Sequence, residues 1–82
     1  MAKTVVIISP NSIVREGLSR IISDEDFHVV DAASEPGEID WTRCPQDVLA
    51  VIDVGSIEDQ GALVDQVLQR HSNARCIILS DE

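Results

Sequence analysis

Asp53 stands where a predicted buried strand ends, and this placement makes it the strongest candidate for chemistry in the chain. It follows the apolar run 48–52, and Gly55-Ser56 predicts a turn directly after it. An uninterrupted Val, Leu and Ile run is typical of a central strand in a parallel sheet. In open α/β sheets, the ligand or reactive site lies outside the carboxyl ends of the strands. We therefore expect Asp53 to project into a crevice at that edge.

Two hydroxyl side chains are predicted at the same edge. Ser9-Pro10 follows the apolar segment 4–8, and Ser80 ends the segment 75–80. Because the carboxyl ends of parallel strands share one edge of a sheet, Ser9 and Ser80 are expected beside Asp53. Asp53 could belong to a ligand or reactive site there, or it could simply cap the loop that follows it. Ser80 could likewise be an ordinary strand-end hydroxyl.

The elements that would position these residues follow from hydrophobic periodicity. Short connections and the order βαβαβαβ predict a parallel α/β sheet. Asn11 or Ser12 is expected to cap the first helix. The solvated face of this helix would include Arg15 and Glu16. Gly17 is expected to let the helix pack closely on the sheet. The predicted strands are 4–8, 27–32, 47–53 and 75–80, the predicted helices are 12–23 and 57–70, and weak helical turns are predicted over 34–41.

Composition narrows the class of protein. With 82 residues the chain forms one small domain, and its fifteen acidic and six basic residues give a net charge of −9. This charge argues against direct nucleic-acid binding. No signal peptide or membrane-spanning run is present, so we expect no membrane contact and a cytoplasmic location. Cys44 and Cys76 are expected to be reduced, and His28 to be a surface strand residue rather than part of a zinc site.

Three sequence segments together resemble a known family. They are Val14-Arg15-Glu16-Gly17-Leu18, Asp53 with Gly61 eight residues later, and Ile78-Leu79-Ser80. The chain resembles the receiver domain of two-component response regulators, and it is most similar to the subgroup that precedes a LuxR-type helix-turn-helix. The resemblance implies a flavodoxin-like open parallel sheet with strand order 2-1-3-4 and helices on both faces.

The resemblance also implies roles for individual residues. Asp53 would be the phosphoacceptor for a sensor histidine kinase, and Ser80 would be the switch hydroxyl that moves to hydrogen-bond the phosphoryl group. The domain would then regulate an attached or partner DNA-binding transcription regulator. It would not itself be an enzyme, and dimerisation could carry the signal without phosphorylation.

Two departures from the family pattern qualify these expectations. Ser9 and Pro10 occupy the positions of the acidic pair that holds Mg²⁺ in the family, so Asp53 would be at most a weak Mg²⁺ ligand and no cofactor is expected. The family also continues through a fifth strand that carries a lysine, whereas this sequence stops at Glu82. We therefore expect 1–82 to be the N-terminal part of a longer receiver, truncated before the fifth strand. We also expect a homodimer that uses the edge of the last strand or the uncovered sheet face.

A different class of function is also compatible with this fold. The crevice at Ser9, Asp53 and Ser80 could hold an anion or another small molecule in a flavodoxin-like binding module or enzyme. However, no GxGxxG or GxxxxGK[ST] loop follows the first strand, and no His, Cys or Lys accompanies Asp53 as a catalytic partner. The sequence therefore favours the regulatory domain.

Overall fold

The computed structural model describes residues 3–23, 26–44, 47–54 and 60–80. These residues form a parallel sheet whose strands occur in the order β2-β1-β3-β4. The predicted fold class and strand order are therefore confirmed. The strands are β1 (Lys3–Ile8), β2 (Phe27–Ala33), β3 (Val48–Val54) and β4 (Arg75–Ser80), and the helices are α1 (Ser12–Ile22) and α2 (Gln60–Arg70).

The two central strands are buried because they are covered on both faces. Most of the core consists of residues 5–8 of β1 together with Val48, Ala50, Val51 and Ile52 of β3, which suits the uninterrupted apolar sequences of these strands. β3 extends one residue beyond the predicted end, since Val54 still pairs with Ser80 of β4. Asp53 therefore lies at the penultimate position of its strand.

α1 begins where the sequence predicts. The side chain of Asn11 accepts hydrogen bonds from the backbone N–H groups of Ile13 and Val14, at 2.9 and 3.3 Å, and so caps the helix as expected. Leu18 and Ile22 then pack on the sheet from one side of the helix. The position of α1 is thus fixed at the carboxyl edge by its cap and over the sheet by its apolar side.

Gly17 is not used as the sequence suggested. A Cβ atom built at Gly17 would meet nothing within 4 Å, so the residue faces open space and does not let α1 pack closely on the sheet. That expectation was wrong because Gly17 lies on the side of α1 that points away from Leu18 and Ile22.

The segment between β2 and β3 is more ordered than predicted. It forms two 3₁₀ turns, Pro36–Glu38 and Trp41–Arg43, so the helical turns continue past Trp41. The indole Nε1 of Trp41 donates to the carbonyl oxygen of Pro36 at 2.9 Å, which ties the turns together. His28 is exposed on β2, as expected. The predicted turn at Gly55-Ser56 and the first three residues of the predicted second helix, 57–59, lie outside the described residues.

The two faces of the sheet are covered by different elements. On one face, α2 and the 3₁₀ turns cover a core that includes Ile52 and Val67; on the other, α1 covers Val5 and Ile7. One helix thus lies on each face, as predicted. Because α1 packs against β1 and β2, it leaves an apolar groove of about 320 Å³ beside it over β3 and β4.

Candidate functional site

Ser9 and Asp53 are in direct contact at the carboxyl edge of the sheet. The hydroxyl Oγ of Ser9 donates to Oδ2 of Asp53 at 2.9 Å. Ser9 is fully buried and Asp53 is half-buried, so the carboxylate remains accessible from the edge. The residues come together because β1 and β3 are neighbours and Ile8 is level with Ile52. Ser9 and Asp53 each come one residue later.

The loop that holds Ser9 is fixed by backbone hydrogen bonds on both sides. The N–H of Ser9 donates to the carbonyl oxygen of Ala33 at 2.9 Å, and the N–H of Asn11 donates to Oγ of Ser9 at 3.2 Å. Since Asn11 also caps α1, the helix start, the Ser9 hydroxyl and the Asp53 carboxylate form one connected chain. The buried hydroxyl of Ser9 thus both accepts and donates a hydrogen bond, as buried polar groups usually do.

Arg15 reaches this edge as well, which was not predicted. Its Nη1 donates to the carbonyl oxygen of Ser9 at 2.6 Å, and the residue is half-buried rather than part of a fully solvated face. The sequence did contain a signal for this placement. Arg15 precedes the sheet-facing residues Leu18 and Ile22 by three and seven positions, which places it on the same side of α1 at its N-terminal end.

Glu38 and Ser34 extend the polar edge beyond β2. Ser34 donates a side-chain hydrogen bond to Glu38, and this bond is the main reason why the pKa of the Glu38 carboxyl lies below its ordinary value. The positive charge of Arg15 lowers that pKa further. Arg15 therefore acts electrostatically on Glu38 and also holds the Ser9 loop through a hydrogen bond.

The other predicted site residues are placed less completely. The backbone of Ser80 pairs with Val54, so Ser80 lies on the strand next to Asp53 and at the same edge. Pro10 follows Ser9 and is exposed. The roles predicted for Ser9, Pro10, Asp53 and Ser80 stay predictions.

The end of β1 contributes no carboxylate beside Asp53. Positions 9 and 10 supply a hydroxyl and a proline ring, so neither adds negative charge beside Asp53. Mg²⁺ is bound in proteins through carboxylates together with water and phosphate oxygens. Within residues 3–23, 26–44, 47–54 and 60–80, no group of three or more His, Cys, Asp or Glu side chains is placed to hold a metal ion.

The apolar groove is a separate feature of the molecule. It lies on the α1 side of the sheet, and neither Ser9 nor Asp53 lines it. Its lining consists of Leu18, Ile21, Ile22, Phe27, Leu49, Val51, Ile77 and Leu79.

Comparisons with protein-family models, curated proteins and solved structures found no match for this chain. In the part of the chain that the structure describes, neither helix has the length and apolar character needed to cross a membrane.

Proposed function

We propose that this chain is a receiver-like signalling domain in which Asp53 holds the phosphoacceptor position. It regulates an attached or partner DNA-binding transcription regulator, either through phosphorylation of Asp53 or through dimerisation without phosphorylation. The observation that supports this most is the contact between Ser9 Oγ and Asp53 Oδ2 at the carboxyl edge of a 2-1-3-4 sheet. Reactive groups of open parallel sheets lie at this edge.

The chemistry at Asp53 would be a simple group transfer. A carboxylate oxygen of Asp53 attacks the phosphorus of a phosphohistidine on a sensor histidine kinase, the bond from phosphorus to nitrogen breaks, and an acyl phosphate forms. The new group carries a charge of about −1.5 to −2 and three acceptor oxygens. The Ser9 hydroxyl, which now donates to Asp53, must then rearrange. Ser80, on the next strand, is proposed as the second hydroxyl that responds.

Charge at the site argues that this transfer is slow. Phosphoryl transfer depends on cations that neutralise the transferred group. The site lacks the acidic pair that would bring Mg²⁺, and Arg15, bonded to the Ser9 carbonyl, is the cation that the structure places beside this loop. We therefore propose that association between copies of the chain contributes to regulation alongside any phosphorylation.

Intact mass spectrometry after incubation with acetyl phosphate and Mg²⁺ tests the phosphoacceptor position. We expect the natural chain to take up little phosphate. The double substitution Ser9→Asp with Pro10→Asp should restore Mg²⁺ binding, followed through Trp41 fluorescence, and should allow labelling. The same protein with Asp53→Asn added is the control and should remain unlabelled.

The two informative outcomes differ in meaning. Stoichiometric, base-labile labelling of the natural chain at Asp53 would support the phosphoacceptor position and would contradict only the expectation that transfer is slow. A doubly substituted chain that is folded and binds Mg²⁺, yet takes no phosphate at Asp53, would show that Asp53 is not in the phosphoacceptor position.

A further inference from the structure

The outer side of α1 carries an apolar line that the fold leaves open. Ile13 and Ile21 are 79% and 78% exposed, and Gly17 lies midway between them. Residues four apart are neighbours on one side of a helix, so these three form a continuous ridge of the kind that packs against another helix. The ridge is bordered on one side by the apolar groove, which Ile21 also lines.

Gly17 has no evident use within the chain. A Cβ atom there would meet nothing within 4 Å, so the monomer has room for alanine. Glycine inside a helix is less favourable than alanine. A glycine at the centre of a helix ridge does allow close approach of a second backbone. The residue is therefore suited to a contact outside its own chain.

The charged residues beside the ridge can pair with the same residues of a second copy. Glu16 and Arg20 form an exposed ion pair at 3.0 Å. If two α1 helices cross antiparallel at Gly17, each Ile13 lies level with Ile21 of the second copy, because both are four residues from the centre. Arg20 of each copy then lies within about 3 Å, along the axis, of the level of Glu16 of the other. A two-fold contact requires this kind of self-complementary surface.

The distribution of charge also favours α1 over other surfaces for contact between two copies. The chain carries −9 overall, so copies repel one another, but the charged residues of α1 are two arginines and one glutamate. We propose that a second copy of this chain docks on α1, and that the two helices pack antiparallel through Ile13, Gly17 and Ile21. This inference names the surface for the dimerisation in the proposed function.

Light scattering coupled to size exclusion, run over a range of protein concentrations, measures the association. Ile13→Lys and Ile21→Lys should each raise the dissociation constant at least about tenfold, since each buries a charge where an apolar side chain was. The matched controls are Leu68→Lys on α2 and Ile77→Lys on β4, which should leave it unchanged. A monomer at every concentration, or dissociation by Ile77→Lys alone, would overturn the proposal.

Charge reversal gives an independent test. Glu16→Arg and Arg20→Glu should each weaken self-association, because either change places like charges together across the crossing. Mixing the two variants should restore association through mixed dimers, in which every cross pair has opposite charges. If the mixture associates no better than the separate variants, the antiparallel arrangement is wrong.

Gly17→Ala distinguishes a role of Gly17 in the dimer contact from a role in the fold. The substitution should raise the urea midpoint of the dilute monomer but weaken the dimer. If Gly17 served only the fold, monomer stability and dimer affinity would change in the same direction. Failure of this inference is distinguishable from failure of the proposed function, because labelling of the Ser9→Asp, Pro10→Asp chain at Asp53 does not depend on α1 contacts.

Discussion

On the α2 face of the sheet, Val6 and Ile52 are completely buried, whereas on the α1 face Ile77 remains 45% exposed. The difference follows from the number of covering elements. Among the described residues, one face has α2 together with two 3₁₀ turns, and the other has α1, which lies over β1 and β2. A single helix is about 10 Å wide and covers about two strands at a spacing of about 4.8 Å. The α1 face is therefore covered less completely over β4 than over β1, and this part of it remains available for contacts.

The largest difference in unfolding free energy is expected when an apolar side chain is truncated on each face. Ile52→Ala removes fully buried methyl groups and should lower the free energy of unfolding by about 2–5 kcal/mol. Ile77→Ala, on the open face, should cost no more than about 1 kcal/mol. Urea denaturation of dilute protein, followed by circular dichroism, measures both. Equal costs would mean that the α1 face is covered more completely than the structure shows.

The carboxyl edge, where the two faces meet, should show the next largest effect. Ser9→Ala removes a hydrogen bond to a carboxylate and leaves part of Asp53 without its donor. We expect a loss of about 1–3 kcal/mol by the same urea measurement. Ser12→Ala, an exposed serine three residues further along, is the matched control and should have little effect. A neutral Ser9→Ala would show that the contact contributes nothing to stability.

Much of this architecture could be predicted from sequence because it depends on local patterns. Apolar runs flanked by turn residues predicted four strands, the family resemblance predicted their order in the sheet, and strand ends predicted that Ser9 and Asp53 lie together. What was missed depends on side-chain reach and on which way a helix faces. Arg15 extends to the Ser9 carbonyl, and Gly17 faces outward. Predicting either placement requires knowing how α1 is rotated about its own axis. The sequence of a short helix with few apolar residues specifies that rotation weakly.

A smaller loss of stability is expected when the two 3₁₀ turns on the α2 face lose a hydrogen bond between them. Trp41→Phe keeps an aromatic ring but removes the Nε1 donor that binds the Pro36 carbonyl. A typical hydrogen bond contributes about 0.5–1.5 kcal/mol, so we expect a loss near 1 kcal/mol in urea denaturation followed by circular dichroism. Arg43→Ala, an exposed change in the same 3₁₀ turn, is the nearby comparison. If Trp41→Phe is neutral, packing of the ring alone holds the turns.

The smallest expected effect is a pH dependence of stability that arises from cysteines on the α2 face. Both cysteines pack against the core of the α2 face, and burial raises the pKa of the Cys76 thiol above its ordinary value. Burial also raises the pKa of Cys44, and the negative charges of Asp31 and Asp40 add to the effect. A thiol with a raised pKa in the folded state resists ionisation there. Its contribution to stability is therefore complete below the unfolded pKa and is lost as the pH rises through the folded value.

We accordingly expect the urea midpoint to fall as the pH is raised above about 8.5, where unfolded cysteines begin to ionise. The chain contains no tyrosine and only one lysine, Lys3, so few other groups titrate in this range. Cys76→Ala should reduce the slope, and adding Cys44→Ala should reduce it further. Measuring each variant from pH 7.5 to 10 with a reducing agent present isolates ionisation from oxidation. A slope that is unchanged in the double variant would assign the loss of stability to groups outside the α2 face and would remove this distinction between the two faces.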